Sequence, residues 1–254
     1  MDNALQGRHA LVTGGGTGIG LAIATMLAER GAKVTITGRR GDVLAEAAAA
    51  RPGLYPLVMD VADEASVVQG CADAIAARGP ITICVANAGI AEGKSMAKMD
   101  MAFWRHMMAI NLDGAYLTVR ECLRGMLAEG WGRTIFVSSV AGLKGLKGAP
   151  AYSASKHGMI GLMRGLSEEY IGSDLTFNAL CPGYVDTDIV TRNTQSIAVR
   201  AGIDTDTARQ MMVKSNRHKR LVTADEVAVV AAMLVGPSSG SLNGQVYEIA
   251  GGQM

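Results

Sequence analysis

The chain has 254 residues, 49% of them apolar and 32 of them glycine, with a net charge of +1. That length suits one large α/β domain or two small ones, with ample material for a core. The near-neutral balance excludes a general nucleic-acid or membrane-surface binder, and the longest apolar run, Val227 to Val235, is far short of a bilayer span.

The first strand is predicted at 9–13 (His-Ala-Leu-Val-Thr) and feeds a glycine-rich turn and a helix over 18–30. In that helix Ile19, Ala22, Ile23, Met26 and Leu27 recur at helical spacing, so one apolar stripe faces a sheet. Gly14, Gly18 and Gly20 are spaced one residue wider than the usual dinucleotide fingerprint. A turn of this kind brings backbone N–H groups up to a pyrophosphate, and the helix N-terminus adds partial positive charge. A plain tight turn is the bland alternative, and the strand–turn–helix setting argues against it.

Further strands are predicted at 33–37, 55–59, 81–85, 133–137, 175–181 and 246–249. Between them the pattern gives helices at 41–50, 63–78, 100–128 and 151–172 and a pair within 188–216. A last helix at 224–235 is opened by the capping box Thr223-Ala224-Asp225-Glu226. Crossovers of this length require parallel strands. The expected fold is therefore one Rossmann-type, doubly wound parallel α/β sheet of seven strands, helices on both faces, as a single domain over 1–254. The stretch 186–222 breaks the rhythm. It is long and polar, it follows a strand's carboxyl end, and it is read as the substrate-binding segment. Residues Met1 to Gln6 carry neither a basic nor an apolar leader. Cys71, Cys84, Cys122 and Cys181 are scattered, with no Cys-x-x-Cys pair and no histidine at metal spacing. Free thiols in a cytoplasmic protein without a metal site are expected.

Seven ordered motifs now resemble those of the short-chain dehydrogenase/reductase family, over essentially the whole chain. Thr13 to Gly20, with Gly14, Thr17, Gly18, Ile19 and Gly20, is similar to its cofactor glycine motif, and Asp60-Val61 to its adenine-contacting pair. Asn87-Ala88-Gly89 resembles the motif that steadies the central strand. Asn111, Ser139, Tyr152 and Lys156 fall where the family has its catalytic tetrad, and Pro182, Gly183, Val185 and Thr187 where it holds the nicotinamide carboxamide. Two departures are visible: Ala86 stands where asparagine is common, and Ala250 where aspartate is common. The resemblance implies a secondary alcohol–ketone interconversion by hydride transfer. It also implies a homotetramer packed on the helices at 100–128 and 151–172, and a water held by Asn111 that links Lys156 to solvent.

Chemistry supports the tetrad independently. Tyr152 and Lys156 are four apart on one helix and share a face. A phenol titrates near ~10, and a neighbouring ammonium, with the positive charge of an oxidised nicotinamide, is expected to lower that value. Ser139 ends a strand and can hydrogen-bond a substrate oxygen in the manner of an oxyanion hole. Asn111, polar among apolar neighbours in the predicted helix, wants a specific task. His157 points elsewhere on the helix and is read as structural.

At the end of the second strand Gly38 occupies the place of the acidic residue that would bind the ribose hydroxyls of NAD, and Arg39 follows. A guanidinium suits a 2′-phosphate, so NADP(H) is expected in preference to NAD(H), although Thr17 adds no second cation. Lys94, Lys144 and Lys147 flank the expected pocket, and a basic cluster runs from Lys214 to Arg220. These fit a small anionic substrate such as a 3-oxoacyl or 3-hydroxyacyl thioester, although solvated loop lysines and cations past a helix end are the favoured account of both. Met211 and Met212 suit an adaptable apolar lid. A polyol, sugar or hydroxy-acid dehydrogenase is the alternative within the family. A silent cofactor-sensing scaffold is the alternative of another class, and the complete tetrad argues against it.

Overall fold

Each central strand sends alternate side chains into two different cores, because successive residues of a strand point to opposite faces. Ala10 and Val12 join one core while Leu11 joins the other, and Ile83 and Val85 are likewise separated from Cys84 and Ala86. The strands therefore read as continuous apolar runs, as expected for a parallel sheet covered on both faces.

The structure, a computed structural model, describes residues 3–252. Strands β1 (His9–Thr13), β2 (Lys33–Gly38), β3 (Leu54–Val58), β4 (Ile83–Ala86), β5 (Gly132–Val137), β6 (Leu175–Pro182) and β7 (Val246–Ile249) form a single sheet. Its order is β3-β2-β1-β4-β5-β6-β7, with every pair parallel. Helices α1 (Gly18–Glu29) and α2 (Gly41–Ala49) lie on one face. Helix α3 (Glu64–Arg78) lies on the other. The order reverses at β1, which has β2 on one side and β4 on the other, so the loops leaving β1 and β4 diverge and open a crevice at the carboxyl edge.

The helix predicted over 100–128 is not continuous. It divides into α4 (Met101–Met108), a π-helical turn over Ala109–Asp113, and α5 (Gly114–Glu129). The Gly114 N–H reaches back to the carbonyl of Ala109, five residues earlier. Gly114 lies so close to Val61 that a Cβ there would sit 2.9 Å from its side chain. The extra residue shifts the helical phase within one turn only, too short a stretch to stand out in the apolar pattern, and π-turns of this kind are frequent at functional sites. Beyond it come α6 (Pro150–Glu169), the expected pair as α7 (Asp188–Ala201) and α8 (Thr205–Ser215), and α9 (Ala224–Val235). The Thr223–Glu226 capping box is formed in both directions. Strand ends shift by one or two residues: β3 starts at Leu54 and β4 spans 83–86 rather than 81–85.

Candidate active site

Two adjoining cavities occupy the carboxyl edge of the sheet. The outer cleft measures about 750 Å3 and runs from the β1–α1 turn across the ends of β2 and β3. Gly14, Thr17, Gly18, Ile19, Gly20 and Arg39 line it, as do Asp60, Val61 and the Asn87-Ala88-Gly89 segment. Gly14 has φ +65°, a left-handed conformation that favours glycine. Gly20 packs on the Gly14 carbonyl, where a Cβ would collide, and this close approach lets α1 begin directly under the turn. Thr17 caps α1 without using its side chain, and the first helical turn holds no acidic residue. The first N–H groups of α1 are thus left for an anion, which suits the pyrophosphate of a dinucleotide.

Thr13, at the end of β1, ties this turn to β4. Its Oγ1 accepts from the backbone N–H groups of Asn87 and Ala88, both at 3.0 Å. The Asn87 side chain returns a bond to the Thr13 carbonyl at 2.8 Å. Thr13→Val keeps the shape and strands two donors, each worth about 1–3 kcal/mol when left unsatisfied. Tm is expected to fall by about 2–4 °C per kcal/mol lost, and cofactor affinity should weaken with it. Unchanged melting and affinity would show that the tie is dispensable.

The inner cavity measures about 250 Å3 and is lined by Ser139, Tyr152 and Lys156. Pro182, Gly183, Val185 and Thr187 also line it, and Ile19, Asn87, Gly89 and Thr187 are among the residues that line both cavities and so mark their border. Ser139 leaves β5 as the cap of a short 3-10 turn, its Oγ accepting from the Ala141 N–H at 3.1 Å. That hydroxyl also hydrogen-bonds with Tyr152. Lys156 is buried, and its Nζ donates to the Val137 carbonyl at 2.9 Å. It lies 5.9 Å from the Tyr152 ring centroid.

The electrostatics differ from the sequence expectation. Burial pushes the Tyr152 phenol above its usual value, the Ser139 bond opposes the rise, and Tyr184 and Cys181 add to it. Lys156 is itself brought down to about 8 by burial, with Cys181 opposing. Desolvation is the largest influence on the phenol, and it acts against the lowering expected from the Lys156 ammonium together with an oxidised nicotinamide.

Asn111 sits in the π-turn, fully buried. Its Oδ1 accepts from the Ile90 N–H at 2.8 Å, and its Nδ2 donates to the Ile90 carbonyl and to Ser155 Oγ, both at 3.0 Å. Ser155 Oγ in turn donates to the Tyr152 carbonyl at 2.8 Å. The Asn111 side chain therefore fastens the loop after β4 to the helix that carries Tyr152 and Lys156.

Sequence reasoning passed over Ser155 and Tyr184, which brace or line the inner cavity, and took Thr13 only as the start of the glycine motif, without its tie to β4. Thr13 alone had a signal, as a polar residue closing a buried strand. Of the flanking cations, Lys94 pairs with Asp100 at 3.5 Å, and Arg220 is engaged by Glu226 of the capping box. Neither Lys94 nor Lys144 lines a cavity described above, whereas Lys147 lines the inner one. His157 is held by the Ser153 carbonyl.

A parallel sheet with a glycine turn, an open helix N-terminus and an adjoining Ser–Tyr–Lys cavity defines a dinucleotide-dependent oxidoreductase. The chain belongs to the short chain dehydrogenase family, which matches it over residues 8–198, and it acts on secondary alcohol or ketone carbons with a nicotinamide cofactor. It is 37% identical to a cis-4-hydroxycyclohexanecarboxylate dehydrogenase of Sinomonas cyclohexanicum, across 99% of this chain and 98% of that one. It is 32% identical to a 3-oxoacyl-[acyl-carrier-protein] reductase of Aquifex aeolicus, across 99% of both. A crystallised actinorhodin polyketide ketoreductase with NADPH superimposes with a TM-score of 0.93 at 29% identity, covering 100% of this chain and 99% of that one.

Proposed function

We propose that this chain reversibly interconverts a small anionic secondary alcohol and its ketone, of the 3-hydroxyacyl/3-oxoacyl kind, using NADP(H) in preference to NAD(H) and no metal. The observation that carries this reading is the convergence of Ser139, Tyr152 and Lys156 on one cavity that borders the outer cleft along Ile19, Asn87 and Gly89. The relatives named for a hydroxy acid and for a 3-oxoacyl thioester support the substrate class, and the NADPH-bound structural neighbour supports the cofactor.

The bound nicotinamide supplies the hydride acceptor for oxidation and the donor for reduction. Tyr152 Oη gives its proton to the substrate oxygen during reduction and takes it back during oxidation. The Ser139 hydroxyl accepts from the Ala141 N–H and hydrogen-bonds with Tyr152, and it can turn its proton to the substrate oxygen as negative charge develops there. Lys156, anchored on the Val137 carbonyl, places a positive charge near the phenol whenever it is protonated. Asn111 fixes the helix beneath both through Ser155. The segment over 186–222 closes the cavity through Val190, Ile197 and Met212 and serves as the substrate-binding element.

The direct test follows nicotinamide absorbance with both cofactors across hydroxy acids, acyl thioesters and polyols. Activity should survive EDTA; loss on chelation with recovery on a divalent metal would overturn the metal-free mechanism. Turnover confined to polyols would favour the sugar-alcohol alternative.

We place the protein in the cytoplasm as a homotetramer. Among the described residues no helix is long and apolar enough to cross a membrane. Helix α5 presents Tyr116 and Leu127 to solvent, 47% and 50% exposed, on a face that a second copy would cover. Sedimentation is expected to give four-chain particles, and a stable monomer at micromolar concentration would overturn the assignment.

A further inference from the structure

The inner cavity is small and its wall is uneven in polarity. At about 250 Å3 it exceeds the roughly 150 Å3 apolar cavity that takes up benzene by less than one further ring. Its inner end is formed by Ile19, Gly89 and Pro182, next to the place given to the nicotinamide. The space left towards the mouth accommodates about one six-membered ring or a short chain of similar bulk. Beyond the reacting groups, Val140, Leu146, Val190, Ile197 and Met212 make that space apolar.

Among its described lining residues, two charged side chains besides Lys156 interrupt this wall, Glu92 and Lys147. Glu92 also lines the outer cleft and belongs to the border between the cavities, whereas Lys147 lines the inner cavity alone. Other cations nearby are engaged: Lys94 by Asp100 and Arg209 by Asp186. Lys147, exposed on the loop leading into α6, makes no ion pair among the described residues. An ammonium at the edge of an apolar pocket favours an anionic substituent on an otherwise apolar ligand.

We propose that Lys147 is a specificity-determining residue, selecting a compact single-ring or short-chain secondary alcohol or ketone that carries a free carboxylate. The proposal rests on the alcohol–ketone reading of the site and narrows it: the free acid, rather than its thioester, is the preferred form. A thioester carries no charge where the acid does, and its carrier would have to leave through the mouth beside Lys147.

Two measurements test this. In the first, 4-oxocyclohexanecarboxylate and its methyl ester are compared as substrates of the wild type and of Lys147→Ala, Lys147→Arg and Lys147→Glu. The wild type should favour the acid by about tenfold in kcat/KM, a difference that corresponds to roughly one charge-assisted contact. Lys147→Ala should erase that preference through KM, Lys147→Arg should keep it, and Lys147→Glu should reverse it. In the second, calorimetry follows binding of cyclohexanecarboxylate and cyclohexanecarboxamide without turnover. Lys147→Ala should weaken the carboxylate about tenfold more than the amide. Equal preference for acid and ester in the wild type, or equal effects of Lys147→Ala on carboxylate and amide, would overturn the proposal. Failure of every ketone to turn over with either cofactor would instead strike the alcohol–ketone reading, and the calorimetry would still decide the role of Lys147.

Discussion

Tyr152→Phe is expected to lower turnover by at least two to four orders of magnitude while leaving the fold and cofactor affinity nearly intact. The substitution removes the one hydroxyl that lines the cavity, hydrogen-bonds with Ser139 and stands on the helix that also carries Lys156. Loss of general acid–base transfer alone accounts for about 10²–10⁴ in rate. The ring remains, so the packing around α6 should be undisturbed. The pH dependence has a definite sign. Burial holds the phenol above its usual value, so the protonated acid needed for ketone reduction persists through neutral pH. Alcohol oxidation needs the phenolate and should rise with pH, while reduction should fall as the phenol loses its proton. Lys156, brought down to about 8, loses its charge at lower pH than the phenol, which is held above its usual value, so its electrostatic support fades before the phenol ionises. The pH profiles of kcat/KM in both directions, with cofactor binding measured separately, check the assignment. A variant that keeps a tenth or more of wild-type activity would remove Tyr152 from the proposed role.

Arg39→Ala should raise KM for NADP(H) by about ten- to a hundred-and-fifty-fold and leave NAD(H) kinetics little changed. One charge-assisted contact to a 2′-phosphate is worth about 1.5–3 kcal/mol, which converts to that range at about 1.4 kcal/mol per decade. Arg39 is exposed on the rim of the outer cleft and makes no ion pair among the described residues. No carboxylate therefore competes for its guanidinium. Gly38→Asp is a feasible companion, because a Cβ at Gly38 meets only the Leu44 methyl groups, at 3.9 and 4.0 Å. The new carboxylate should accept from the ribose hydroxyls and repel a phosphate, moving preference towards NAD(H). Arg40 lines the same cleft, so Arg40→Ala belongs in the comparison. If the wild type already prefers NAD(H), or Arg39→Ala weakens both cofactors equally, Arg39 is a solvated surface residue.

The sequence by itself determined the sheet, its parallel sense and the order of its elements. Buried strands announce themselves as apolar runs, and the crossovers between them are too long for hairpins. The same local logic located the glycine turn at 14–20, the Tyr152–Lys156 face of α6 and the Thr223–Glu226 cap, since each is set by residues within one or two turns. Other features depend on groups far apart in the chain. Thr13 meets Asn87 across 74 residues, and Asn111 meets Ser155 across 44, so neither brace was visible as a pattern. The π-turn that carries Asn111 adds a single residue to the helical count, and the sequence marked the place only through the polar Asn111 itself. Only tertiary packing separated Lys147, which lines the inner cavity, from Lys94, which is taken up by Asp100. The environment of Tyr152 was decided in the same way. Proximity to Lys156 along a helix is a local property and favours the phenolate, whereas desolvation is the sum of everything packed around the phenol, and in this fold desolvation is the larger effect.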